Sequence, residues 1–166
     1  KISDTRKTTP GLRALERYAV RAGGGVNHRF GLHDAMLIKD NHLAAVGGVG
    51  EAVSRARESM NPNAVIEVEC DTLQQVADAL EAGADAILLD NMDNATIASA
   101  VEAAAGRAVV EASGGINLRT VRGGASTATE GIHVGAGTDR ATPHGGAHDA
   151  GLRAWGTCGV KHNGRR

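Results

Sequence analysis

From Asn61 to Gly137 a unit of strand, turn and amphipathic helix recurs about every 22 residues. That period is what parallel βα packing demands, because two parallel neighbours must be joined by a crossover. "AVIEVEC" is strand-like, and Asp71 or Thr72 can cap the helix behind it. That helix places Leu73, Val76, Ala77 and Leu80 on one face and stops near Gly83. "ADAILLDN" repeats the strand, Ile97 and Val101 anchor the next helix, and Gly106 ends it. "RAVVEASGG" is a third copy and "GIHVG" a weaker fourth. Upstream, "ISDTRK" and "DAMLIKDNH" read as two further strands; the second precedes a helix with Val49, Ala52, Val53, Ala56 and Met60 on one face. "GGG" at 23–25 reads as a helix stop and turn.

Side chains of a strand alternate between faces. Ile66 and Val68 therefore oppose Val65, Glu67 and Glu69; Ile87 and Leu89 oppose Leu88 and Asp90; Val110 and Ala112 oppose Val109, Glu111 and Ser113. One face is apolar and suits a cover of helices. The other carries carboxylates toward the C-terminal strand ends, which an open sheet covered on both faces would bury unpaired at severe cost. A barrel turns that face inward and opens it at one mouth, where βα barrels place their active sites. The strand ends in order are Arg6 and Lys7, Lys39, Glu69, Asp90, Ser113 with Gly114, and Gly135. Cations come first and carboxylates next, so the mouth is a charge-compensated pocket.

Only Tyr18, Phe30 and Trp155 are aromatic, so the core must be built from Ala, Val, Ile and Leu. With 166 residues, 42% of them apolar and 22% charged, one globular domain is expected. No run of about 18 apolar residues occurs and the start is polar, which argues against a membrane span or signal peptide and for a cytoplasmic protein. Cys70 and Cys158 lack metal-ligand spacing and read as structural thiols. The net charge of −1 hides a gradient: residues 1–30 hold seven Lys/Arg against two Asp/Glu, and residues 31–138 hold six against fifteen. The basic segment lacks the interleaved aromatics that stack bases, so anionic small molecules fit it better than nucleic acid. Arg13, Arg17 and Arg21 follow one another at helical spacing and read as a solvated stripe or a subunit contact. Glu67 and Glu111 read as counter-charges for Lys39, and an Asp4–Arg6 ion pair is the plain structural reading of those two.

The stretches "DTRKTTPGLR", "YAVRAGGGVNHRFGLHDAMLIKDNH", "EVECDTL", "LLDNM" and "EASGGI" carry a specific resemblance in order and spacing. From about Ile2 to about Leu118 the chain resembles quinolinate phosphoribosyltransferase, also called nicotinate-nucleotide pyrophosphorylase (carboxylating). The resemblance implies an α/β fold, an incomplete, open βα barrel of about six or seven parallel strands, over residues 1–138. It implies transfer of phosphoribose from phosphoribosyl pyrophosphate (PRPP) to quinolinate with Mg²⁺, yielding nicotinate mononucleotide, pyrophosphate and CO₂ in NAD biosynthesis. Homodimers or larger homo-oligomers are implied too.

The same resemblance assigns roles. Arg6, His28 and Arg29 match positions that hold the substrate carboxylates, and Lys7 and Lys39 match lysines between quinolinate and the phosphates. Glu69 and Asp90 match acidic residues at the ribose hydroxyls and Mg²⁺; Lys7, Lys39, Glu69 and Asp90 are the expected catalytic set. Ser113 and Gly114 are expected to open a turn into a helix that binds the 5′-phosphate, with Gly135 and Ala136 also at phosphate. His42 matches a family motif and is expected to act in support.

Two departures accompany the match. The family's N-terminal domain, with an arginine that reaches a neighbouring subunit's quinolinate site, does not precede this barrel in the sequence. Where the family has a segment like "SVGALTHS", this chain has "HVGAGTDRATPHGG", with Asp139 in place of a phosphate-contacting histidine. Residues 139–166 are expected to be a divergent tail, either a frameshifted or degenerate end or a flexible extension whose composition buries little apolar surface. The alternatives are a related phosphoribosyltransferase-like barrel for another aromatic acid, and a catalytically inactive barrel used for binding or oligomerisation.

Overall fold

The computed structural model describes residues 1–29, 35–61, 63–117, 119–127 and 129–133. Twelve elements appear in these: β1 (Ile2–Ser3), α1 (Arg13–Ala22), β2 (Met36–Ile38), α2 (Asp40–Val46), α3 (Val49–Ser59) and β3 (Ile66–Cys70). Then follow α4 (Leu73–Glu81), β4 (Ala86–Asp90), α5 (Asn94–Ala104), β5 (Val109–Ser113), α6 (Val121–Ala125) and β6 (Gly131–His133).

The six strands form one all-parallel sheet in the order β1-β6-β5-β4-β3-β2 that does not close. The fold is thus the expected open α/β barrel. Beyond these six, the described residues hold an isolated parallel bridge: Val26 N donates to Ile2 O at 2.9 Å and Asp4 N to Val26 O at 3.1 Å, laying that segment along β1. Both upstream strands are shorter than "ISDTRK" and "DAMLIKDNH" imply. The second stops at Ile38 because a helix begins at Asp40: Lys39 N donates to His42 Nδ1 at 3.0 Å and His42 N to Lys39 O at 2.8 Å. His42 is therefore a capping residue, its supporting role made concrete.

The strand alternation holds. Ile66, Val68, Cys70, Ile87, Leu89, Val110 and Ala112 are buried against Val53, Val76, Ala79, Ile97 and Ala100 of the helices. Each fully buried Val, Leu or Ile contributes about 1.5–3 kcal/mol of transfer free energy, and the small Ala79 and Ala100 let helices sit close to the sheet. Helix ends are specified locally. Thr72, not Asp71, caps α4 in a reciprocal box with Gln75, and Asp93 caps α5 by accepting from Thr96 N at 2.8 Å. No helix among the described residues is long and apolar enough to cross a membrane.

Candidate active site

Parallel register brings the inward face of each strand to a common mouth. Glu69 pairs across with Leu88, and Asp90 with Ser113. A cavity of about 750 Å³ opens there, lined by Arg6, Lys7, Lys39, Glu69, Asp90 and Ser113. Gly114, His28, Arg29 and His133 complete the part that carries chemistry. All the expected site residues within the described part of the chain thus meet in one place; Gly135, Ala136 and Asp139 lie outside the described residues.

The charges in the mouth are interlocked. Lys39 Nζ donates to Glu69 Oε2 at 2.6 Å. Asp90 accepts from Ser113 Oγ and from Asn91 Nδ2, both at 2.8 Å. Asn91 holds a left-handed φ of 55°, and Gly114 faces it with φ 77°. A Cβ on Gly114 would stand 2.3 Å from Asn91 Oδ1 and 2.6 Å from Asn91 N, so only glycine fits. Gly114 and Gly115 both take positive φ, 77° and 66°, in the turn that Ser113 opens, and the next helix, α6, starts at Val121. Arg6 lines the mouth, and its Nε is buried with no hydrogen-bond partner among the described residues.

His28 and Arg29 are presented by the segment beside β1, and their backbone is clamped. Arg17 Nη2 donates to His28 O at 2.7 Å and Nη1 to Arg29 O at 3.3 Å. Asp4 accepts from His28 N at 2.7 Å and from Asn27 Nδ2 at 2.6 Å, and pairs with Arg17 at 3.1 Å. Two expectations are corrected here. Arg17 is buried, 9% exposed, not part of a solvated stripe, and Asp4 pairs with Arg17, not Arg6. An arginine at helical spacing from Arg13 and Arg21 gives no sign of this; Asp4, the residue directly after β1, is the one signal that a buried cation is needed.

Glu67 and Glu111 are not counter-charges for Lys39, which Glu69 already holds. Glu67 Oε2 lies 3.0 Å from His28 Nε2, and Glu111 Oε2 lies 2.5 Å from His133 Nε2 and 3.7 Å from His28 Nε2. The two imidazoles meet edge to face, with ring centroids 4.7 Å apart. Burial disfavours the His28 imidazolium, but the hydrogen bond and charge of Glu67, then the charge of Glu111, outweigh it, and Arg29 opposes them; the net pKa stands above the ordinary 6.5. Burial would raise the Glu111 carboxyl, yet its bond to His133 and the nearby positive charges hold it below its usual range. His133 escaped the sequence reading, although alternation on "GIHVG" sets it two residues from Gly131 on the inward face.

Glu69 and Asp90 both line the mouth and offer carboxylate oxygens, the donor type that a hard divalent cation takes.

With the geometry established, comparison with known proteins is direct. Residues 1–144 match the family described as quinolinate phosphoribosyl transferase, C-terminal domain. The chain belongs to that family. It is 49% identical over 139 residues to nicotinate-nucleotide pyrophosphorylase (carboxylating) of Mycobacterium leprae, an alignment covering 82% of this chain and 49% of that protein. Against the human protein of the same name the identity is 44% over 120 residues, 70% of this chain and 40% of that one. The solved nicotinate-nucleotide pyrophosphorylase from Francisella tularensis superposes with a TM-score of 0.80 at 44% identity, covering 84% of this chain and 50% of that chain. The chain thus spans about half the length of the curated relatives it matches.

Proposed function

We propose that this chain carries the acid- and phosphate-binding barrel of an enzyme that transfers phosphoribose from PRPP to quinolinate with loss of CO₂, giving nicotinate mononucleotide and pyrophosphate. The observation that carries the reading is the convergence of Arg6, Lys7, His28, Arg29 and Lys39 with Glu69 and Asp90 in one mouth, in a chain of this family.

Quinolinate is a dianion and PRPP is more negative still, so both need fixed cations in a partly desolvated site. In this reading Arg6, His28 and Arg29 hold the two carboxylates, the arginine forks in bidentate fashion. Lys7 and Lys39 lie between the acid and the phosphates. Glu69 and Asp90 accept from the ribose hydroxyls and would hold Mg²⁺, which supplies charge neutralisation to the pyrophosphate when bound. Ser113 and Gly114, with Gly135 and Ala136, take the 5′-phosphate. When CO₂ leaves, the electron pair stays at C2 beside the pyridinium nitrogen, and the surrounding cations stabilise it. Exposed Leu15 and Tyr18 on α1, 62% and 65% accessible, offer apolar area to a second copy, in line with a homo-oligomer of a cytoplasmic enzyme.

The test is release of CO₂ from quinolinate labelled at its 2-carboxylate, with PRPP and Mg²⁺, by the purified chain. Release requiring both substrates supports the reading. A folded chain that neither binds quinolinate nor releases CO₂ sinks it.

A further inference from the structure

His28 borders two cavities. One is the mouth, which His133 also lines; the other, of about 440 Å³, lies at the opposite end of the strands and is lined by Glu67, Glu111 and the strand-start residues Val65, Ala86 and Val109. His28 therefore stands at the floor of the substrate mouth, on a layer built by Glu67 and Glu111 below it. One ring nitrogen or carboxylate oxygen from each of His28, Glu67, Glu111 and His133 lies within 4.8 Å of the other three. Glu67 is only 3% exposed. A carboxylate at that depth needs a positive partner, since an isolated buried charge is severely penalised. His28 Nε2 at 3.0 Å is the partner the geometry provides.

We propose that Glu67 is a positioning residue that, together with the Glu111–His133 pair, holds the His28 ring at the floor of the mouth in its charged form, so that the site grips a second substrate carboxylate. The proposal deepens the quinolinate reading above and rests on it for the identity of that acid. Glu67 acts through His28 and touches no substrate.

Among the described residues, the charged and ring groups that face His28 come from several elements. Glu67 reaches it from β3, Glu111 from β5 and the His133 ring from β6. Arg29 sits beside it in sequence and opposes its charge. Asp4 accepts its backbone N–H and is itself held by Arg17 from α1. Two carboxylates thus face one imidazole whose other carboxylate neighbour, Asp4, is already neutralised. Gly131 is part of the same device: a Cβ there would come within 2.8 Å of the Glu111 carboxyl carbon, so glycine makes room for Glu111 to lean toward the histidines. A nicotinate-like monoacid has no second carboxylate for His28 to hold, which makes the charge on this ring a determinant of specificity.

The experiment has two readouts. The first is an NMR titration of the His28 ring in the ligand-free chain and in Glu67→Gln, a change that keeps shape and removes charge. His28 is expected to titrate above pH 6.5 in the parent and at least about tenfold in proton affinity lower in the variant; Glu111→Gln is expected to shift it less. An unchanged His28 titration in folded Glu67→Gln overturns the proposal. The second readout is equilibrium binding of quinolinate and of nicotinate against pH. Quinolinate binding is expected to weaken as His28 deprotonates and to weaken earlier in Glu67→Gln, with nicotinate binding flat. Quinolinate binding that does not follow the His28 titration overturns the specificity role. A shifted His28 in a chain that binds no quinolinate supports the positioning role and overturns the substrate reading instead.

Discussion

Arg17 and Asp4 form a buried ion pair, Nη1 to Oδ2 at 3.1 Å; Arg17 also donates to the carbonyls of His28 and Arg29, and Asp4 also accepts from His28 N–H and Asn27 Nδ2. Arg17→Met keeps the aliphatic stem and removes the fork. Asp4 then stays buried with only Asn27 and His28 N–H as donors. Losing one member of a buried pair costs about 3 kcal/mol or more, so a drop of that order is expected in denaturant unfolding. Because the clamp fixes the segment that presents His28 and Arg29, quinolinate KM should rise more than kcat falls. A variant with wild-type KM would show that the clamp serves stability alone.

The cluster around Glu111 and His28 predicts a pH window. The His28 pKa is raised above 6.5 on folding, so its contribution is full below 6.5 and is lost as pH rises through the folded value; the Glu111 pKa is lowered below 4.5, so its contribution is full above 4.5 and is lost as pH falls through the folded value. The two overlap fully between 4.5 and 6.5. Thermal melts of the wild type minus those of the double variant His28→Asn/Glu111→Gln should show the largest difference inside that window, narrowing on both sides. A difference that grows steadily above pH 8 would contradict the assigned directions.

Lys39 presents the opposite balance. Its side chain is 45% exposed, and its 2.6 Å contact with Glu69 is screened by solvent. Lys39→Ala should change stability by no more than about 1 kcal/mol while abolishing CO₂ release. Melting and activity measured on the same preparation separate the two, and a stable, active Lys39→Ala chain would remove Lys39 from the catalytic set.

The sequence made the central parallel strands legible because their crossovers carried punctuation, Thr72 as a cap candidate and Gly83 and Gly106 as stops, and because apolar and acidic residues alternate on β3, β4 and β5. The mouth was legible for the same reason, since the last inward residue of each strand must sit at that rim. Sequence pattern misleads where tertiary pairing outranks it. Arg17 belongs by spacing to a surface stripe, and only the fold brings Asp4 under it. Glu67 and Glu111 were recognised as needing counter-charges, but spacing along a strand says nothing of which cation crosses the barrel, and the histidines that do so come from the β1-flanking segment and from β6. Asp40, Asn41 and His42, the first residues of α2, read as the end of a strand because a seven-residue helix carries no full amphipathic period.

Cys70 is fully buried between β3 and the helices, and burial, with Asp71, Asp78 and Glu69 adding to it, pushes its thiol up to about 12. The thiolate is the reactive form. In a Cys158→Ser background, a disulfide reagent at pH 8 should therefore label Cys70 at the rate of global unfolding, accelerating with denaturant as unfolding does. Rapid labelling in native buffer would mean that the sheet opens locally at β3.

Gly114 gives the sharpest single-atom test. Its φ of 77° is one that L-residues rarely adopt, and the added methyl of Gly114→Ala would stand 2.6 Å from the backbone nitrogen of Asn91, which cannot swing aside because Asn91 N donates to Ser113 O at 3.1 Å. Positive-φ strain and overpacking together are expected to cost at least about 2 kcal/mol. The turn must move, and with it the Ser113 hydroxyl that Asp90 accepts at 2.8 Å. PRPP binding should therefore fall far more than quinolinate binding, read by calorimetry with each ligand alone. Gly115→Ala is the control: its φ of 66° carries the same conformational strain, but no atom lies within 4 Å of the added methyl. If both variants lose PRPP equally, backbone strain in the turn controls phosphate binding; if only Gly114→Ala does, the close packing of Gly114 on Asn91 controls it.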